Sequence, residues 1–458
     1  MFFRQFYLGC LAQASYMIGS EGEAVVVDPR RDVEEYIEVA RQEGLMIRHV
    51  VETHLHADFV SGHRELAERA GAQIYFGSRA GVSFPHTPVS DGDEVSVGRV
   101  TLRFLETPGH TPESVCVLVT DRSESPEPKL VLTGDTLFLG DVGRPDLLGA
   151  AISAEDLAGM LYDSLRQKLM RLPDSVEVYP GHGAGSLCGK NISSDTSSTI
   201  GQQKRVNHAL QPMTREEFVR SMTTDLPEAP AYFARDVEMN RRGASSLGSL
   251  PPLAPLDPAA VERAAAAGAV VLDVRSGEAY AKSHLPGSIQ IGLSGQFASW
   301  AGAVVPHGAP VILVAPDPVA AQEARMRLAR VGIEDIAGSL TGGVHAWQES
   351  GRRVASTAQV DVEELHRRVS AGESPIVLDV RRPGEWESGT IPNAKRIPLH
   401  ELARRACELD AGDPVHAVCA GGYRSSLATS LLERAGFTNI TNVTGGMAAW
   451  TRAGFGTS

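Results

Sequence analysis

Cysteine is scarce in this sequence, and no stretch near its start has the pattern of an export signal. The 458 residues include five cysteines, an odd number, and they are widely spaced. That usage argues against a disulfide framework and is typical of reduced thiols. The first residues, Met1 to Phe6, lack a basic segment followed by an apolar one. We therefore expect a cytoplasmic protein.

Basic residues are outnumbered by acidic ones. The 43 Lys and Arg residues against 56 Asp and Glu residues give a formal net charge of −13, which argues against broad binding to nucleic acid. Hydrophobic residues make up 42% of the chain and charged residues 22%, as in ordinary globular cores rather than membrane proteins. The length predicts about three domains. It leaves open whether the chain forms a homo-oligomer.

Histidine and aspartate residues recur where predicted strands end. Residues 53–58 read Thr-His-Leu-His-Ala-Asp and follow an apolar strand at residues 48–52. Three later turns end in a similar residue: Thr107-Pro108-Gly109-His110, Thr133-Gly134-Asp135 and Tyr179-Pro180-Gly181-His182. Imidazoles and carboxylates bind metals, and a rigid scaffold can gather such ligands from separate loops. The four segments together predict a metal site.

The order of these segments resembles the metallo-β-lactamase fold, and the resemblance covers residues 1–245. It implies an αββα sandwich, in which two sheets face each other between helices and loops at one sheet edge hold one or two metals. Phe59 departs from the two-metal pattern, which has a His at this position. A phenyl ring has no electron pair to donate to a metal. The second metal site would therefore lack a ligand.

A closer resemblance, to the persulfide dioxygenases of that superfamily, depends on these segments together with the run Gly140–Asp146. It implies one Fe(II) per chain, held by His54, His110 and Asp135. A face of two histidines and one carboxylate leaves adjacent positions open for a persulfide sulfur and for O2.

The resemblance gives the remaining polar residues of these segments a supporting role. By the same resemblance, His56, Asp58 and His182 orient ligands or water, and it stays open whether any of them touches the metal. Cys188 follows His182 in a glycine-rich stretch. Its thiol could accept persulfide sulfur or be inert, and the sequence leaves both alternatives open.

Arg144 lies within the glycine-containing run Gly140–Asp146. By composition alone, this run could be a solvated surface loop. The resemblance instead implies that Arg144 lies near the thiol substrate, where a guanidinium fork suits the carboxylates of a peptide or cofactor thiol.

The second half of the chain contains an internal repeat. Residues 271–275 read Val-Leu-Asp-Val-Arg and recur at 377–381, and a segment with two glycines and a tryptophan at 340–347 recurs at 443–450. A spacing of this size indicates tandem domains, which we place at residues 256–355 and 356–458. Short strands alternating with amphipathic stretches predict a parallel α/β sheet in each.

Both repeats resemble rhodanese domains, which carry sulfane sulfur as a cysteine persulfide. In the second repeat the strand 415–418 is followed by Cys419-Ala420-Gly421-Gly422-Tyr423-Arg424 and a helix. Backbone N–H groups of small residues and a helix N-terminus stabilise a thiolate and its persulfide. We therefore predict Cys419 as the nucleophile. Arg424 would either place charge near an anionic donor or brace the loop.

The first repeat lacks this chemistry. When the strands of the two repeats are aligned, Ala315 stands opposite Cys419 and Ala320 stands opposite Arg424. Without a thiol the first repeat cannot carry sulfur, so we expect it to be an inactive structural or docking domain.

These features predict a fused sulfur-oxidising enzyme. It would oxidise a low-molecular-weight thiol persulfide with O2 to sulfite and thiol, and its last domain would exchange sulfane sulfur with thiosulfate or persulfide. The thiol carrier and the direction of that exchange stay open. Two alternatives remain: a dinuclear zinc thioesterase of the glyoxalase II type, and a non-enzymatic sulfur-delivery module.

Overall fold

The computed structural model describes residues 1–147, 152–224, 226, 228–373 and 375–458. The chain divides into two compact units. The first comprises residues 1–250 and 329–332, and the second comprises residues 251–328 and 333–458. Within the described residues, no helix is both long enough and apolar enough to cross a membrane.

The first unit contains two mixed sheets, each with six strands among the described residues. The first sheet has its strands in chain order: β1 (Phe2–Leu8), β2 (Gln13–Ser20), β3 (Glu23–Val27), β4 (Met46–Val51), β5 (Gln73–Gly77) and β6 (Thr87–Val89). In the second sheet, too, neighbouring strands follow one another along the chain: β7 (Glu94–Val97), β8 (Val100–Glu106), β9 (Val115–Asp121), β10 (Leu130–Gly134), β11 (Glu177–Pro180) and β12 (Ser198–Thr199).

Helices accompany both sheets. Those that the structure describes in this unit are α1 (Glu34–Gln42), α2 (His63–Ala70), α3 (Ala154–Gln167), α4 (Ile200–Val206), α5 (Arg215–Thr223) and α6 (Phe233–Arg242). Side-chain caps fix where several of them begin. The Ser153 hydroxyl accepts the Asp156 N–H at the start of α3, and Thr214 and Glu217 form a capping box at the start of α5.

Strand β9 shows why the sheets form layers. Its residues alternate between two apolar cores, because successive side chains of a strand point to opposite faces. Val117 belongs to the core between the two sheets, whereas Leu118 belongs to the core between the second sheet and its helices. Helices α3 and α5 contribute Leu161 and Phe218 to that outer core. The predicted αββα sandwich is confirmed.

The second unit contains two parallel sheets, each with five strands among its described residues. In the first repeat, the strands are β13 (Pro255–Leu256), β14 (Val270–Asp273), β15 (Ile289–Gln290), β16 (Val311–Val314) and β17 (Ile336–Leu340). Its helices are α7 (Pro258–Ala266), α8 (Gly277–Lys282), α9 (Phe297–Val304), α10 (Pro318–Ala329) and α11 (Gly343–Glu349).

The second repeat follows the same plan. Its strands are β18 (Ala358–Val360), β19 (Ile376–Asp379), β20 (Lys395–Arg396), β21 (Val415–Val418) and β22 (Ile440–Val443). Its helices are α12 (Val362–Ser370), α13 (Pro383–Trp386), α14 (Leu399–Arg405), α15 (Tyr423–Arg434) and α16 (Gly446–Arg452). The sheet orders correspond strand for strand: β13-β17-β16-β14-β15 in one and β18-β22-β21-β19-β20 in the other.

Strand register fixes which residues of the two repeats are equivalent. Val314 pairs with Asp273 in the first repeat, and Val418 pairs with Asp379 in the second. Each pair is the last step of its ladder, so the next residues, Ala315 and Cys419, occupy the same place. The first repeat therefore has alanine where the second has the cysteine.

Removing the Phe104 ring tests the core of the first unit. Phe104 is fully buried between the two sheets, so Phe104→Ala should lower the free energy of unfolding of this unit by about 3–5 kcal/mol. The four tryptophans all lie at residue 300 or later. Far-ultraviolet circular dichroism should therefore show an early urea transition that tryptophan fluorescence lacks. Val206→Ala, at a side chain that is 60% exposed, should shift neither signal, and an unshifted transition in Phe104→Ala would contradict this packing.

Candidate metal centre and sulfur-transfer site

The loops that follow β4, β8 and β10 bring His54, His110 and Asp135 together. One ligand atom from each of the three lies within 4.8 Å of the other two, and all three residues are buried. The Asp135 Oδ2 atom is 3.8 Å from Nε2 of His54 and 3.5 Å from Nε2 of His110. These distances are too long for hydrogen bonds, but they suit three donors around one ion.

Hydrogen bonds fix the tautomer of His54. The Thr53 hydroxyl donates to Asp28 Oδ2 at 2.8 Å, so its oxygen can accept the N–H of His54 Nδ1 at 2.9 Å. The proton of a neutral His54 ring therefore lies on Nδ1 and leaves the lone pair on Nε2. Burial, followed by the nearby His56, holds the pKa of His54 well below its usual value, which favours the neutral ring that a metal needs.

A contact with a backbone carbonyl fixes the tautomer of His110. Its Nδ1 lies 2.8 Å from the carbonyl oxygen of Arg144, and a carbonyl oxygen can only accept a hydrogen bond. Nδ1 therefore carries the proton, and Nε2 presents its lone pair toward Asp135. A partner of this kind orients the ring and raises its basicity as a ligand.

Asp135 completes a donor set that fits a metal. Its Oδ2 atom is buried and accepts no hydrogen bond from any described residue, an arrangement that is costly without a cation. Burial raises the pKa of Asp135, but His182 and His54 outweigh it and bring the pKa below its ordinary value. The ionised carboxylate and the two imidazole lone pairs match a site of two histidines and one carboxylate.

His182 lies behind Asp135. Its Nδ1 is 2.8 Å from Asp135 Oδ1, and its Nε2 is 2.8 Å from Asp58 Oδ2. Burial lowers the pKa of His182, but the two carboxylates more than offset this and raise the pKa to about 10. Nδ1 is hydrogen-bonded to Asp135, so His182 orients this carboxylate, whereas Nε2 lies beside Asp58 without forming a hydrogen bond. Cys188 is near enough to Asp58 and His182 to share a ligand cluster with them.

The ring of His56 lies beside His54, with centroids 4.2 Å apart, and its Nε2 atom lies near two carboxylates. Its Nε2 lies 3.0 Å from Glu52 Oε2 and 3.2 Å from Asp28 Oδ1, and its ring packs on Phe59 with centroids 4.3 Å apart. Burial lowers the pKa of His56, but Asp28 and Glu52 hold it well above the usual value. The residue that departs from the two-metal pattern, Phe59, is itself buried against this histidine.

Three supporting residues were missed by the sequence analysis. Asp28 accepts both the N–H and the hydroxyl of Thr53, at 2.7 and 2.8 Å. Glu113 accepts the Leu55 N–H at 3.0 Å, and Asn240 donates to the carbonyls of residues 56 and 59 at 2.8 Å each. Asp28 directly follows β3, so its position at a strand end could have identified it. Glu113 and Asn240 carried no such signal.

Arg144 is more enclosed than a surface-loop residue. It is 5% exposed, and its guanidinium makes two hydrogen bonds to the Asp146 carboxylate, at 2.7 and 2.6 Å. The fork is therefore held in place, while the Arg144 carbonyl orients His110. The run 140–146 thus reaches the candidate metal centre through its backbone.

The second candidate site is the loop between β21 and α15. Cys419 is 1% exposed, and its Sγ accepts the Gly422 N–H at 3.1 Å and lies 3.5 Å from Ser425 Oγ. Gly422 has φ +100°, a conformation that glycine adopts at little cost. The N–H groups and the helix N-terminus place positive potential at the sulfur, as a thiolate or persulfide requires.

Arg424 braces this loop in the structure. Its Nη1 and Nη2 lie 2.6 and 2.7 Å from the two oxygens of Glu385, which belongs to α13. Glu385 also accepts the Arg382 N–H at 3.0 Å. The sequence analysis missed Glu385, since 39 residues separate it from Arg424.

Comparison with protein families finds three matching segments of the chain. Residues 8–182 match the metallo-beta-lactamase superfamily. Residues 257–350 and 361–453 each match the rhodanese-like domain.

Individual relatives match different lengths of the chain. The mitochondrial persulfide dioxygenase of Bos taurus is 30% identical over 216 residues, which are 45% of this chain and 75% of the relative. A hydroxyacylglutathione hydrolase of Methylobacillus flagellatus is 32% identical over 169 residues, 36% of this chain and 60% of the relative. A crystal structure of a metallo-beta-lactamase from Staphylococcus aureus is 36% identical, with a TM-score of 0.67, and covers 74% of this chain and 98% of its own.

Gly143 offers a test of the candidate metal centre that changes the position of the candidate ligands but not their identity. A Cβ atom here would lie 2.0 Å from the Asp135 carbonyl oxygen and 2.9 Å from His110 Nδ1. Gly143→Ala should therefore displace two candidate ligands and weaken metal binding by about tenfold, as measured by competition with a chelator. Gly9→Ala is the control, since a Cβ at Gly9 meets nothing within 4 Å. Equal metal affinity in the two variants would count against this site.

Proposed function

We propose that this chain, which belongs to the metallo-beta-lactamase superfamily and carries two rhodanese-like domains, is a persulfide dioxygenase joined to a sulfurtransferase. Its first unit would oxidise a low-molecular-weight thiol persulfide with O2 to sulfite and thiol. Its last domain would move sulfane sulfur between that persulfide pool and thiosulfate.

The observation that carries the first part is the three-residue donor set. His54, His110 and Asp135 would hold one Fe(II), which, when bound, supplies redox chemistry and open positions for a sulfur and for O2. The chain's own task is to present two Nε2 lone pairs and one carboxylate oxygen in a fixed arrangement. Thr53 and the Arg144 carbonyl do this for the histidines, and His182 does it for Asp135.

Phe59 favours a single metal over two, because a phenyl ring has no electron pair to offer. Asp58, His182 and Cys188 lie close enough together to form a second donor set, so metal content decides between one metal and two. The similarity to a hydroxyacylglutathione hydrolase is the reason to test for thioesterase activity as well. Metal content distinguishes persulfide oxidation, which would use one iron, from thioester hydrolysis, which would use two zinc ions.

We assign Arg144 to the thiol carrier. Asp146 holds its fork through two hydrogen bonds, so a substrate carboxylate would compete with Asp146 for a guanidinium whose orientation is already fixed.

The sulfur-transfer step requires a thiol and an anion-stabilising cradle. The Cys419 thiolate would attack the outer sulfur of thiosulfate, form a new S–S bond and release sulfite, which leaves with the electron pair of the broken bond. A carrier thiolate would then attack the sulfane sulfur, and Cys419 would leave as a thiolate. Both steps run in either direction, so substrate levels set the net flow. Arg424, paired with Glu385, would keep the loop in shape.

Loss of one ligand tests the iron assignment. In His110→Ala, two ligands remain, so anaerobically purified protein should lose its iron, about one per chain in the wild type, and its oxygen uptake with a supplied persulfide. The unaltered Cys419 site is the internal control: sulfur transfer from thiosulfate should persist. Two equivalents of zinc with thioester hydrolysis in the wild type would refute the proposal. A wild type that consumes no oxygen would favour a delivery module.

Replacing the sulfur atom of Cys419 distinguishes sulfur transfer in the last domain from oxygen uptake at the metal centre. Cys419→Ser keeps the side-chain shape but replaces the sulfur, and the first repeat offers only Ala315 at the same place, so transfer from thiosulfate to a thiol should be abolished. Iron content and oxygen uptake should stay within about twofold of the wild type. Mass spectrometry after thiosulfate treatment should find the added sulfur on the peptide that contains Cys419. Full transfer activity in the variant, or added sulfur only on Cys188, would overturn the assignment.

A further inference from the structure

A cavity lies between the two repeats of the second unit. Its volume is about 410 Å³, and residues of both repeats line it. The first repeat contributes Glu278 from α8 and Gln290 from β15, whereas the second contributes Gln359, Ser426 and Asn442 among others. The inactive repeat thus forms one wall of the cavity.

The cavity borders the sulfur-transfer loop. Gly421, Gly422 and Tyr423 line it, and Gly422 is the residue whose N–H contacts the Cys419 sulfur at 3.1 Å. The Tyr423 hydroxyl donates to the Gly292 carbonyl at 2.8 Å, which ties the loop of one repeat to the backbone of the other. A molecule in the cavity would therefore lie against the wall that holds Cys419.

The lining selects for a particular chemistry. Amide and hydroxyl side chains predominate, and no lysine or arginine occurs among the lining residues within the described parts of the chain. Asn442 is 4% exposed, and its Oδ1 atom accepts no hydrogen bond from a described residue. A buried amide oxygen without a partner is costly, and a ligand N–H would satisfy it. The acidic lining residue, Glu278, already accepts a hydrogen bond from Lys282 at 2.6 Å, so Asn442 is the acceptor on which binding would depend.

We propose that this cavity binds the amide-bearing arm of the low-molecular-weight thiol that exchanges sulfur with Cys419. A peptide-like N–H group would bond to Asn442, and the thiol end would reach the loop at Gly422. This inference rests on the proposed sulfurtransferase and adds its carrier site. Glutathione and coenzyme A share the required chemistry, since each carries two amide groups next to a thiol.

The transfer at this site balances without an outside oxidant. The carrier thiolate attacks the sulfane sulfur of the Cys419 persulfide, an S–S bond forms, and the old S–S bond breaks with its electron pair on Cys419. The carrier leaves as a persulfide, and Cys419 is a thiolate again. Thiosulfate is a small dianion without N–H groups, so loading of Cys419 by thiosulfate should not need the cavity's amides.

A substitution at Gly277 tests whether the cavity binds the carrier thiol. It lines the cavity, and a Cβ atom there would lie 2.6 Å from Ser426 Oγ in the other repeat. Gly277→Leu should fill the cavity and raise the KM for the carrier thiol by about tenfold, while the loading of Cys419 by thiosulfate, followed by mass spectrometry, stays as in the wild type. Running glutathione and coenzyme A separately identifies the carrier, which is the thiol whose KM rises.

The matched control is the glycine that precedes Glu385, as Gly277 precedes Glu278. A Cβ at Gly384 meets nothing within 4 Å, so Gly384→Leu should leave both KM values unchanged. Unchanged KM values in Gly277→Leu would overturn the proposal, as would a parallel loss of thiosulfate loading. Folding of each variant is checked by its tryptophan fluorescence transition in urea.

A binding experiment keeps the cavity separate from the proposed activity. Calorimetric titration of the Cys419→Ser protein with S-methylglutathione and S-methyl-coenzyme A uses ligands that cannot react. At least one should bind, and adding Gly277→Leu should weaken it by about tenfold. Binding without sulfur transfer in the wild type would refute the sulfurtransferase but keep the site. No binding of either ligand would refute the site itself.

Discussion

The contact between Asp135 and His182 is the interaction on which the candidate metal centre depends most. His182 Nδ1 donates a hydrogen bond to Oδ1 of Asp135 at 2.8 Å, and Oδ2 of the same carboxylate therefore faces His54 and His110. The close approach needs a glycine, because a Cβ at Gly181 would lie 2.5 Å from Asp135 Oδ1. Two strand ends, β10 and β11, are thus held together by the same group that orients a candidate ligand.

The sequence was sufficient for what depends on local pattern. Ligand-type residues at strand ends could be located because parallel strands bring those ends to one edge, and a repeated segment identified the second domain pair. The tautomer of His54 could not be predicted, since it depends on Asp28, 25 residues before Thr53. Glu385 could not be predicted as the partner of Arg424 either, because the two lie 39 positions apart in the sequence. The cavity beside the Cys419 loop could not be predicted because residues of both repeats line it.

The two repeats keep the same fold although the residue at the position of Cys419 differs between them. Both repeats keep the sheet order and the Asp–Arg pair at the end of the strand, with Arg275 on Asp273 and Arg381 on Asp379. Both aspartates are fully buried, and losing the arginine would leave a costly unpaired charge, so each pair is needed whether or not a thiol follows. The residue that follows the central strand is free of that constraint, and Ala315 fits there as a small apolar side chain.

The source of positive potential at Cys419 follows from the ion pairs around it. Because Glu385 takes up the Arg424 fork with two hydrogen bonds, the charge of that arginine is largely balanced. The sulfur instead meets the Gly422 N–H and the first turn of α15, which are fixed dipoles. Fixed dipoles stabilise a thiolate and a persulfide alike and need no rearrangement between them. A loop of this kind can give up sulfur as readily as it accepts it, which is the property that a carrier between two sulfur pools needs.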